Sequence, residues 1–322
     1  MRIPALALLL LTTAALAQDE APAAAAKPNA KDLQARPAEM ARLASKNLLL
    51  GIAAAGDALV AVGDRGVILR STDGAKWDQV ASPVHATLTA VSFADAKAGW
   101  AVGHDATILH TADGGANWRL QNFTPAEAKP LLTVLALDAQ RAIALGAYGL
   151  ALATADGGAT WAPLDSPVLV EEGRHLNALA RLGNGDVFLA GETGLLAVSA
   201  DGTEWKRVAL PYEGSLFGAL PRGERGAIVF GLRGNAYVSD DVRAGKWAKV
   251  DTQTVQSLFG GTVLADGDAL LVGADGETLR VDAAGTAKRV SAQSHAGTLS
   301  GVLARGDGLV VIGEYGVGTL RP

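Results

Sequence analysis

Seven glycines divide this chain into repeats of nearly constant length. In each repeat one glycine closes a short apolar run and precedes a second run, and the seven positions are Gly63, Gly103, Gly146, Gly191, Gly231, Gly273 and Gly313. Subtracting each position from the next gives spacings of 40, 43, 45, 40, 42 and 40 residues. Repeats of this length, built from short β-type runs without helical periodicity, are typical of the blades of a β-propeller. The sequence therefore predicts an all-β fold with seven blades.

The second repeat shows how a blade is built. It contains three short runs with strand character, then a turn rich in glycine, then a short outer run. The predicted strands are residues 88–93, 98–102 and 107–110 and an outer run that ends at Leu120. We name the four strands of a blade A (inner) to D (outer), and we expect every blade to be a four-stranded antiparallel sheet.

The turn between strands C and D repeats the Asp-box pattern, Ser/Thr-x-Asp-x-Gly-x-x-Trp. The aspartate accepts backbone N–H groups of its own turn, the glycine supplies a positive φ, and the tryptophan buries a large apolar surface. We therefore interpret these residues as structural rather than catalytic or calcium-binding. They are Asp73, Trp77, Asp113, Trp118, Asp156, Trp161, Asp201 and Trp205, with Trp247 in a longer fifth copy.

The seventh repeat is incomplete. Residues 299–304, 309–312 and 317–320 predict strands A to C, and no fourth strand follows them in this sequence. At the other end of the chain, residues 38–44 precede the first inner strand and have no partner. Because an open edge leaves backbone groups unpaired, we predict that residues 38–44 form the outer strand of the seventh blade and close the ring.

The N-terminal region predicts export. Residues 1–17 have the pattern of a signal peptide, with Arg2, an apolar run, and small residues ending at Ala17 before Gln18. Residues 18–35 are rich in alanine and proline and predict a disordered linker, and residues 36–322 form the predicted propeller. We expect a periplasmic or secreted protein, cleaved near Ala17–Gln18, that does not span a membrane.

Composition excludes several kinds of site. The chain has no cysteine, which excludes disulfides, thiolate metal sites and lipid attachment through an N-terminal cysteine. A formal net charge of −5 offers no large basic face for nucleic acid. The five histidines lack the spacing of a metal site. We therefore expect no metal, no cofactor and no nucleic-acid partner.

The two faces of the predicted disc differ in character. Strand order places the Asp-box turns on one face, and it places the B–C turns and the D–A connections on the other. The B–C turns carry charged and aromatic residues that form a candidate partner-binding rim, namely Asp64, Arg65, His104, Asp105, Tyr148, Glu192, Arg233, Asp275, Glu314 and Tyr315. The other interpretation is that tight turns are simply polar. Residues 211–218 are either a further functional loop or a packed bend.

Asp-boxes also occur in sialidases, so a glycan-active or glycan-binding propeller is the alternative function. A sialidase needs three converging arginines, a tyrosine–glutamate pair and an acidic aspartate. Arg65, Arg174 and Arg233 are candidates for the triad, but they come from widely separated blades and no motif accompanies them. A converging arginine triad in the structure would favour this alternative.

Four motifs taken in order over residues 36–322 indicate a family. They are residues 61–66 (AVGDRG), 99–105 (GWAVGHD), 211–218 (PYEGSLFG) and 231–235 (GLRGN). Together they resemble the photosystem II stability and assembly factor family of seven-bladed propellers, in the branch found in bacteria that do not photosynthesise. In phototrophs, the family implies a non-enzymatic scaffold that holds a newly made reaction-centre membrane protein through an arginine-rich patch.

This chain departs from the family pattern in two respects. First, Arg65 and Arg233 are the only arginines on its rim, and Glu192, Asp275 and Glu314 carry the opposite charge there. Second, the lipid-anchoring cysteine of cyanobacterial relatives is absent. The resemblance therefore implies the scaffold class rather than a literal photosystem role. We expect an exported monomer that binds a protein partner, such as a membrane protein or a transporter. Arg65 and Arg233 are the expected anchors because arginine pairs bidentately with carboxylates.

Overall fold

Seven antiparallel sheets follow one another along the chain and close into a ring. The computed structural model describes residues 34–290, 297–306 and 308–320. The inner strand of each sheet contacts the inner strand of the next, and the inner strand of the last sheet contacts that of the first. This arrangement confirms the predicted seven-bladed β-propeller. The predicted signal peptide and most of the predicted linker lie outside the described residues.

Six of the seven sheets have four strands in the order A-B-C-D. The first three blades comprise β1 (Leu49–Ala55), β2 (Ala58–Gly63), β3 (Ile68–Ser71), β4 (Asp78–Val80), β5 (Leu88–Phe93), β6 (Gly99–Gly103), β7 (Ile108–Thr111), β8 (Arg119–Asn122), β9 (Leu131–Ala136), β10 (Ala142–Gly146), β11 (Ala151–Thr154) and β12 (Ala162–Pro163). Blades four and five comprise β13 (Leu176–Arg181), β14 (Val187–Gly191), β15 (Leu196–Ser199), β16 (Lys206–Val208), β17 (Leu216–Arg222), β18 (Gly226–Gly231), β19 (Ala236–Ser239) and β20 (Ala248–Lys249).

The last two blades differ in strand number. Blade six comprises β21 (Leu258–Val263), β22 (Ala269–Gly273), β23 (Thr278–Val281) and β24 (Ala287–Arg289), and blade seven comprises β25 (Leu299–Arg305), β26 (Gly308–Gly313) and β27 (Gly316–Leu320). One α-helical turn, α1 (Pro167–Val170), interrupts the connection between blades three and four. Within the described part of the chain, no helix is long and apolar enough to cross a membrane.

The seven repeat glycines mark places where two strands of a blade approach too closely for a side chain. A Cβ atom built on Gly103 would lie 2.1 Å from the carbonyl oxygen of Thr87, and one on Gly63 would lie 2.1 Å from that of Leu48. At the other five repeat glycines, a Cβ atom would lie 2.1–2.6 Å from the carbonyl oxygen at the equivalent position of its own blade. Glycine is therefore required by close approach of the backbone rather than by its φ angle.

A β-bulge in the inner strand lies opposite each of these glycines. In blade two, Leu88 pairs with Gly103 and Ala90 pairs with Val102, so Thr89 is the extra residue. The register shifts in the same way in all seven blades. A bulge re-aims the side chain of its extra residue. The Oγ1 of Thr89 accordingly donates to the carbonyl of Leu131 in the next inner strand at 2.7 Å, which joins neighbouring blades.

The aspartates of the C–D turns bind their own backbone. Asp156 accepts hydrogen bonds from the backbone N–H of Thr160 at 2.9 Å and from the hydroxyl groups of Thr154 and Thr160. These donors lower the pKa of Asp156 from 3.8 to about 2, with the Thr160 N–H as the largest cause. Equivalent donors lower the pKa of the other such aspartates, Asp73, Asp113, Asp201 and Asp282.

The tryptophans of these turns pack between blades. In three turns the indole N–H donates to a glycine carbonyl of the same turn at 3.1–3.2 Å, and these tryptophans are Trp77, Trp118 and Trp205. Trp161 donates instead to Gln121 Oε1 at 3.1 Å. In the longer fifth turn the indole nitrogen of Trp247 is buried without a hydrogen-bond partner. Asp241 in that turn caps the backbone N–H of Arg243.

The predicted closing strand is not confirmed. Within the described residues the seventh sheet has three strands, and residues 38–44 form no strand beside β27. This segment instead crosses blade one, where Ala38 N–H donates to the Ser82 carbonyl at 3.1 Å and Ala41 N–H donates to Gln79 Oε1 at 2.7 Å. The turn at Ala44–Lys46 contacts β27, where the Ser45 carbonyl would lie 1.9 Å from a Cβ atom on Gly316.

Side chains of the seventh blade join it to the first. Arg305 donates to the carbonyl groups of Asp57 and Thr72 at 2.6 and 2.5 Å, and Ser300 Oγ donates to the Leu49 carbonyl at 2.6 Å. The same arginine contact is present between blades five and six, where Arg222 donates to the Ala283 carbonyl. The closing seam therefore uses contacts of an ordinary seam.

We predict that Arg305→Met destabilises the propeller more than Arg225→Met does. Arg305 joins two blades, whereas Arg225 is an exposed residue paired with Asp241 inside blade five. Loss of two hydrogen bonds from a charged donor should lower the free energy of unfolding by about 1–2 kcal/mol. Urea denaturation of both variants measures the difference, and equal stabilities would contradict the proposed role of Arg305 at the seam.

The Asp156 carboxylate predicts a specific pH dependence. Because its pKa is about 2 in the folded protein and near 3.8 otherwise, its contribution to stability is present above about pH 4 and is lost as the pH falls toward 2. Asp156→Asn should therefore be less stable than wild type at pH 6, and the gap should shrink as the pH approaches 2. Thermal melts between pH 2 and 6 test this, and a gap that stays constant over that range would contradict it.

Candidate functional site: the B–C face

The B–C turns raise one residue per blade to the tip of a tight hairpin. In blade one, Arg65 has φ 54° and ψ 31°, Gly66 has φ 71°, and Val67 N–H donates to the Asp64 carbonyl at 3.1 Å. This is the geometry of a type I′ turn, whose two central residues both take positive φ. The tip position is held by Arg65, Asp105, Tyr148, Thr193, Arg233 and Asp275 in blades one to six. The predicted rim residue of blade four was Glu192, whereas its neighbour Thr193 lies at the tip.

The D–A connections lie beside these turns, as predicted from strand order. The residue after each repeat glycine donates its N–H to the residue that precedes the inner strand of the same blade, as His104 does to the Thr87 carbonyl at 2.9 Å. The ten predicted rim residues therefore share one face of the disc. The C–D turns with their aspartates lie at the opposite ends of the same strands.

Four rim carboxylates accept hydrogen bonds from the adjacent connections, although Asp275 and Glu314 remain exposed. Asp64 accepts from Thr87 Oγ1 at 3.0 Å, and Asp275 accepts from Gln256 Nε2 at 2.7 Å. Glu192 and Glu314 accept backbone N–H groups of the connections that precede their own blades. These acidic residues stabilise the loops of the face. Their chemistry could not be assigned from sequence because the donors are 16 to 23 residues away.

The cationic and aromatic rim residues remain exposed. The side chain of Arg65 is 73% exposed and makes only a 3.6 Å contact with Asp64, which contributes little in water. Tyr148 and Tyr315 are 59% and 61% exposed. Among the described residues, Arg233 has no side-chain hydrogen bond or ion pair. His104 is also exposed, whereas Asp105 is half-buried.

Two shallow clefts beside the rim add basic residues. The cleft on blade four has a volume of about 640 Å³ and is lined by Arg174, Arg207, Thr193 and Tyr212 among others. The cleft on blade five has about 660 Å³ and is lined by Arg233, Lys249, Asp251 and Val255 among others. Arg207 and Lys249 were missed at the sequence level, although both lie on outer strands just after a C–D tryptophan.

Arg174 and Arg207 share one acidic partner. Glu172 Oε1 accepts from Arg207 Nη1 at 3.0 Å, and Glu172 Oε2 pairs with Arg174. The Nη1 atom of Arg174 is buried and has no hydrogen-bond partner. The two guanidinium groups thus share a single carboxylate, and Glu213 also lines the cleft.

Residues 211–218 form a packed bend into β17. The Tyr212 ring lies 5.5 Å from that of Tyr237, and its hydroxyl donates to the Leu232 carbonyl at 3.3 Å. Burial raises the pKa of both tyrosines. The Tyr212 carbonyl would lie 1.9 Å from a Cβ on Gly194, which ties the bend to the B–C turn of blade four. The bend therefore supports the face rather than forming a separate loop.

The residues proposed for a sialidase triad are not brought together by any contact. Arg65 and Arg233 occupy turn tips in blades one and five, and Arg174 lies between blades three and four, bound to Glu172. Across residues 34–290, 297–306 and 308–320, no group of three or more histidine, aspartate or glutamate side chains is placed to hold a metal ion.

Comparison with solved structures shows the same fold in proteins of different kinds. A structure described as YCF48 bound to D1 peptide is 18% identical, with a TM-score of 0.68 over 86% of this chain and 93% of that one. YCF48 from Cyanidioschyzon merolae is 19% identical, with a TM-score of 0.68 over 89% and 99% of the two chains. Virginiamycin B lyase from Staphylococcus aureus is 11% identical, with a TM-score of 0.64 over 90% and 99%. At these identities the likeness shows the fold alone.

Sequence comparison with protein families is more specific. No curated protein matches the chain. The family model described as photosynthesis system II assembly factor YCF48 matches residues 69–258, which is 190 of the 322 residues and extends from strand C of blade one into blade six. The match confirms the family resemblance, and three of the four motifs lie within the matched residues. This chain belongs to the photosynthesis system II assembly factor YCF48 family.

Proposed function

We propose that this chain is an exported, non-enzymatic scaffold that binds an acidic segment of a protein partner on the B–C face. The observation that carries the proposal is that the acidic residues of the rim differ in their contacts from its arginines and tyrosines. Four of the rim carboxylates accept hydrogen bonds from the loops, whereas the exposed side chains of Arg65, Arg233, Tyr148 and Tyr315 make no hydrogen bond within the described residues. A face whose cations and aromatic rings are free suits a ligand with carboxylates and apolar side chains.

The blade-four and blade-five clefts extend this surface. Arg233 lines the second cleft and belongs to the rim, so rim and cleft form one region. Arginine binds a carboxylate with two parallel hydrogen bonds, and exposed tyrosine supplies contact area at little entropic cost. A YCF48 relative has been solved with a D1 peptide, which supports a protein segment as the class of ligand. The partner of this chain is a membrane protein or a transporter in the same compartment.

The proposed location and state follow from the sequence. The signal-like residues 1–17 support export to the periplasm, and the propeller is expected to act as a monomer. The fold itself does not decide against catalysis, since a lyase shares it. The scaffold role is favoured because the family model that matches this chain describes an assembly factor.

A pull-down from periplasmic extract tests the arginine assignment. The double variant Arg65→Ala/Arg233→Ala should recover at least about tenfold less partner than wild type, since buried arginine anchors commonly contribute more than 1–2 kcal/mol each. Recovery by wild type should also fall as salt is raised, because charge pairs at the rim are screened.

The matched control removes two arginines from the opposite face. Arg141→Ala/Arg225→Ala changes the net charge equally but leaves the rim intact, so it should recover partner like wild type. Equal losses in both double variants would show a general charge effect and contradict the assignment. Equal recovery by wild type and the rim variant would contradict it as well.

A further inference from the structure

Glu172 lies between the two arginines of the blade-four cleft and is held there by little else. Its Oε1 accepts from Arg207 Nη1 at 3.0 Å, and its Oε2 pairs with Arg174. Neither the backbone N–H nor the carbonyl of Glu172 makes a hydrogen bond within the described residues. Its side chain is 46% exposed, so water competes for both ion pairs. The position of this carboxylate therefore depends on two solvent-accessible charge pairs.

The Glu172 side chain has room to move without disturbing the connection that carries it. The next residue, Gly173, has φ 59°, and a Cβ atom built there would meet no atom within 4 Å. This part of the connection therefore borders open space. Arg174 is anchored by contrast, since its carbonyl accepts from the Gly149 N–H at 2.9 Å. Departure of the Glu172 carboxylate would thus leave the backbone of Arg174 in place.

Glu172 satisfies only part of the donor capacity around it. It pairs with Arg174 through the Nη2 atom, whereas the Nη1 atom of Arg174 is buried and has no hydrogen-bond partner. An unpaired buried donor is unfavourable. A guanidinium group binds a carboxylate most strongly through two parallel N–H bonds. A carboxylate that faces both Nη atoms is therefore a better ligand for Arg174 than Glu172 is.

Two clefts meet at these arginines. Arg174 and Arg207 line both the cleft of about 640 Å³ and a smaller cleft of about 140 Å³. The larger cleft continues along Ala209, Leu210 and Tyr212. These residues place apolar side-chain atoms beside the charged groups. The larger cleft therefore suits a ligand that has an apolar group next to a carboxylate.

Two further carboxylates determine how such a ligand enters. Glu213 lines the larger cleft and Glu171 lines the smaller one, and neither forms an ion pair within the described residues. With Glu172, three carboxylates already line the clefts around two guanidinium groups. Like-charge repulsion opposes the addition of a fourth. A ligand carboxylate therefore replaces Glu172 rather than binding beside it.

We propose that the blade-four cleft is a carboxylate-binding subsite whose place is held by Glu172 until a ligand displaces it. The ligand is an acidic side chain of a partner segment, with a neighbouring apolar side chain that lies against Leu210 and Tyr212. Its carboxylate takes the donors of Arg174 and Arg207 that Glu172 releases. This assignment rests on the proposed function, of which it names one subsite. It adds that the chain's own carboxylate lowers the apparent affinity there.

An NMR titration of the isotope-labelled full chain tests the subsite, with the arginine Nε–Hε resonances as the readout. The probe is the blocked peptide acetyl-Gly-Glu-Leu-Gly-amide, and the control peptide has glutamine in place of glutamate. The probe should shift the resonances of Arg174 and Arg207, and the control peptide should shift neither. Glu172→Gln should bind the probe at least about tenfold more tightly than wild type, because the internal competitor is removed.

The matched variant is Glu171→Gln. It changes the net charge equally, one residue away, and leaves both arginine contacts of Glu172 intact, so its affinity for the probe should stay within about twofold of wild type. Equal gains in the two variants would indicate a general charge effect and overturn the proposal. The absence of a gain in Glu172→Gln would overturn it as well.

Glutarate distinguishes a free acid from a protein segment as the source of the carboxylate. It carries the same acidic group without the neighbouring apolar side chain, so it should bind more weakly than the peptide. Binding of glutarate as tight as that of the peptide would assign the site to small acids and overturn the assignment to a partner segment.

The subsite and the rim assignment fail separately. Arg65→Ala/Arg233→Ala leaves the blade-four cleft intact and should bind the peptide like wild type. If that variant loses no partner in the pull-down while the peptide results stand, the rim assignment is wrong and the subsite is retained. If the pull-down result stands and Glu172→Gln gains no affinity, the subsite alone is wrong.

Discussion

The close approach between each repeat glycine and the backbone before its inner strand is the constraint on which the other features depend. A carbonyl lies where a Cβ atom would be, at 2.1–2.6 Å in all seven blades. The approach accompanies a bulge in the inner strand, and the bulged residues Thr89, Asn177 and Ser300 donate to the next inner strand. The same contact sets the start of each B–C turn. One glycine per repeat is thus associated both with the contact between neighbouring inner strands and with the position of the exposed B–C turn.

Much of the fold was predictable because it follows from local chemistry. Glycine spacing predicted seven blades, and strand order predicted which turns share a face. The roles of single rim residues were less predictable. The sequence alone suggested that Asp64 and Glu314 bind a partner. Their hydrogen-bond donors, Thr87 and Thr298, lie in connections that only folding brings near them. Arg207 was missed for the same reason, since its cleft is formed by three separate segments.

The prediction that failed to find support concerns ring closure. We predicted that residues 38–44 pair with the unpaired edge of the last blade. The segment instead binds blade one through Ala38 and Ala41. Arg305 and Ser300 join the seam instead. Within the described residues the ring therefore closes through inner strands and side-chain donors, and residues 44–46 contact β27 without pairing with it as a strand. The sequence pattern alone could not show that the ring closes without a fourth strand in the last sheet.

Close approach of the backbone is what requires glycine at the seven repeat positions. The most direct measurement is the free energy of unfolding of Gly103→Ala beside Gly308→Ala, in urea. Gly308 is also in a strand, but a Cβ there would meet its nearest atom at 3.7 Å. We expect a loss of about 1–3 kcal/mol for Gly103→Ala and a change within about 0.5 kcal/mol for Gly308→Ala. Equal stabilities of the two variants would contradict it.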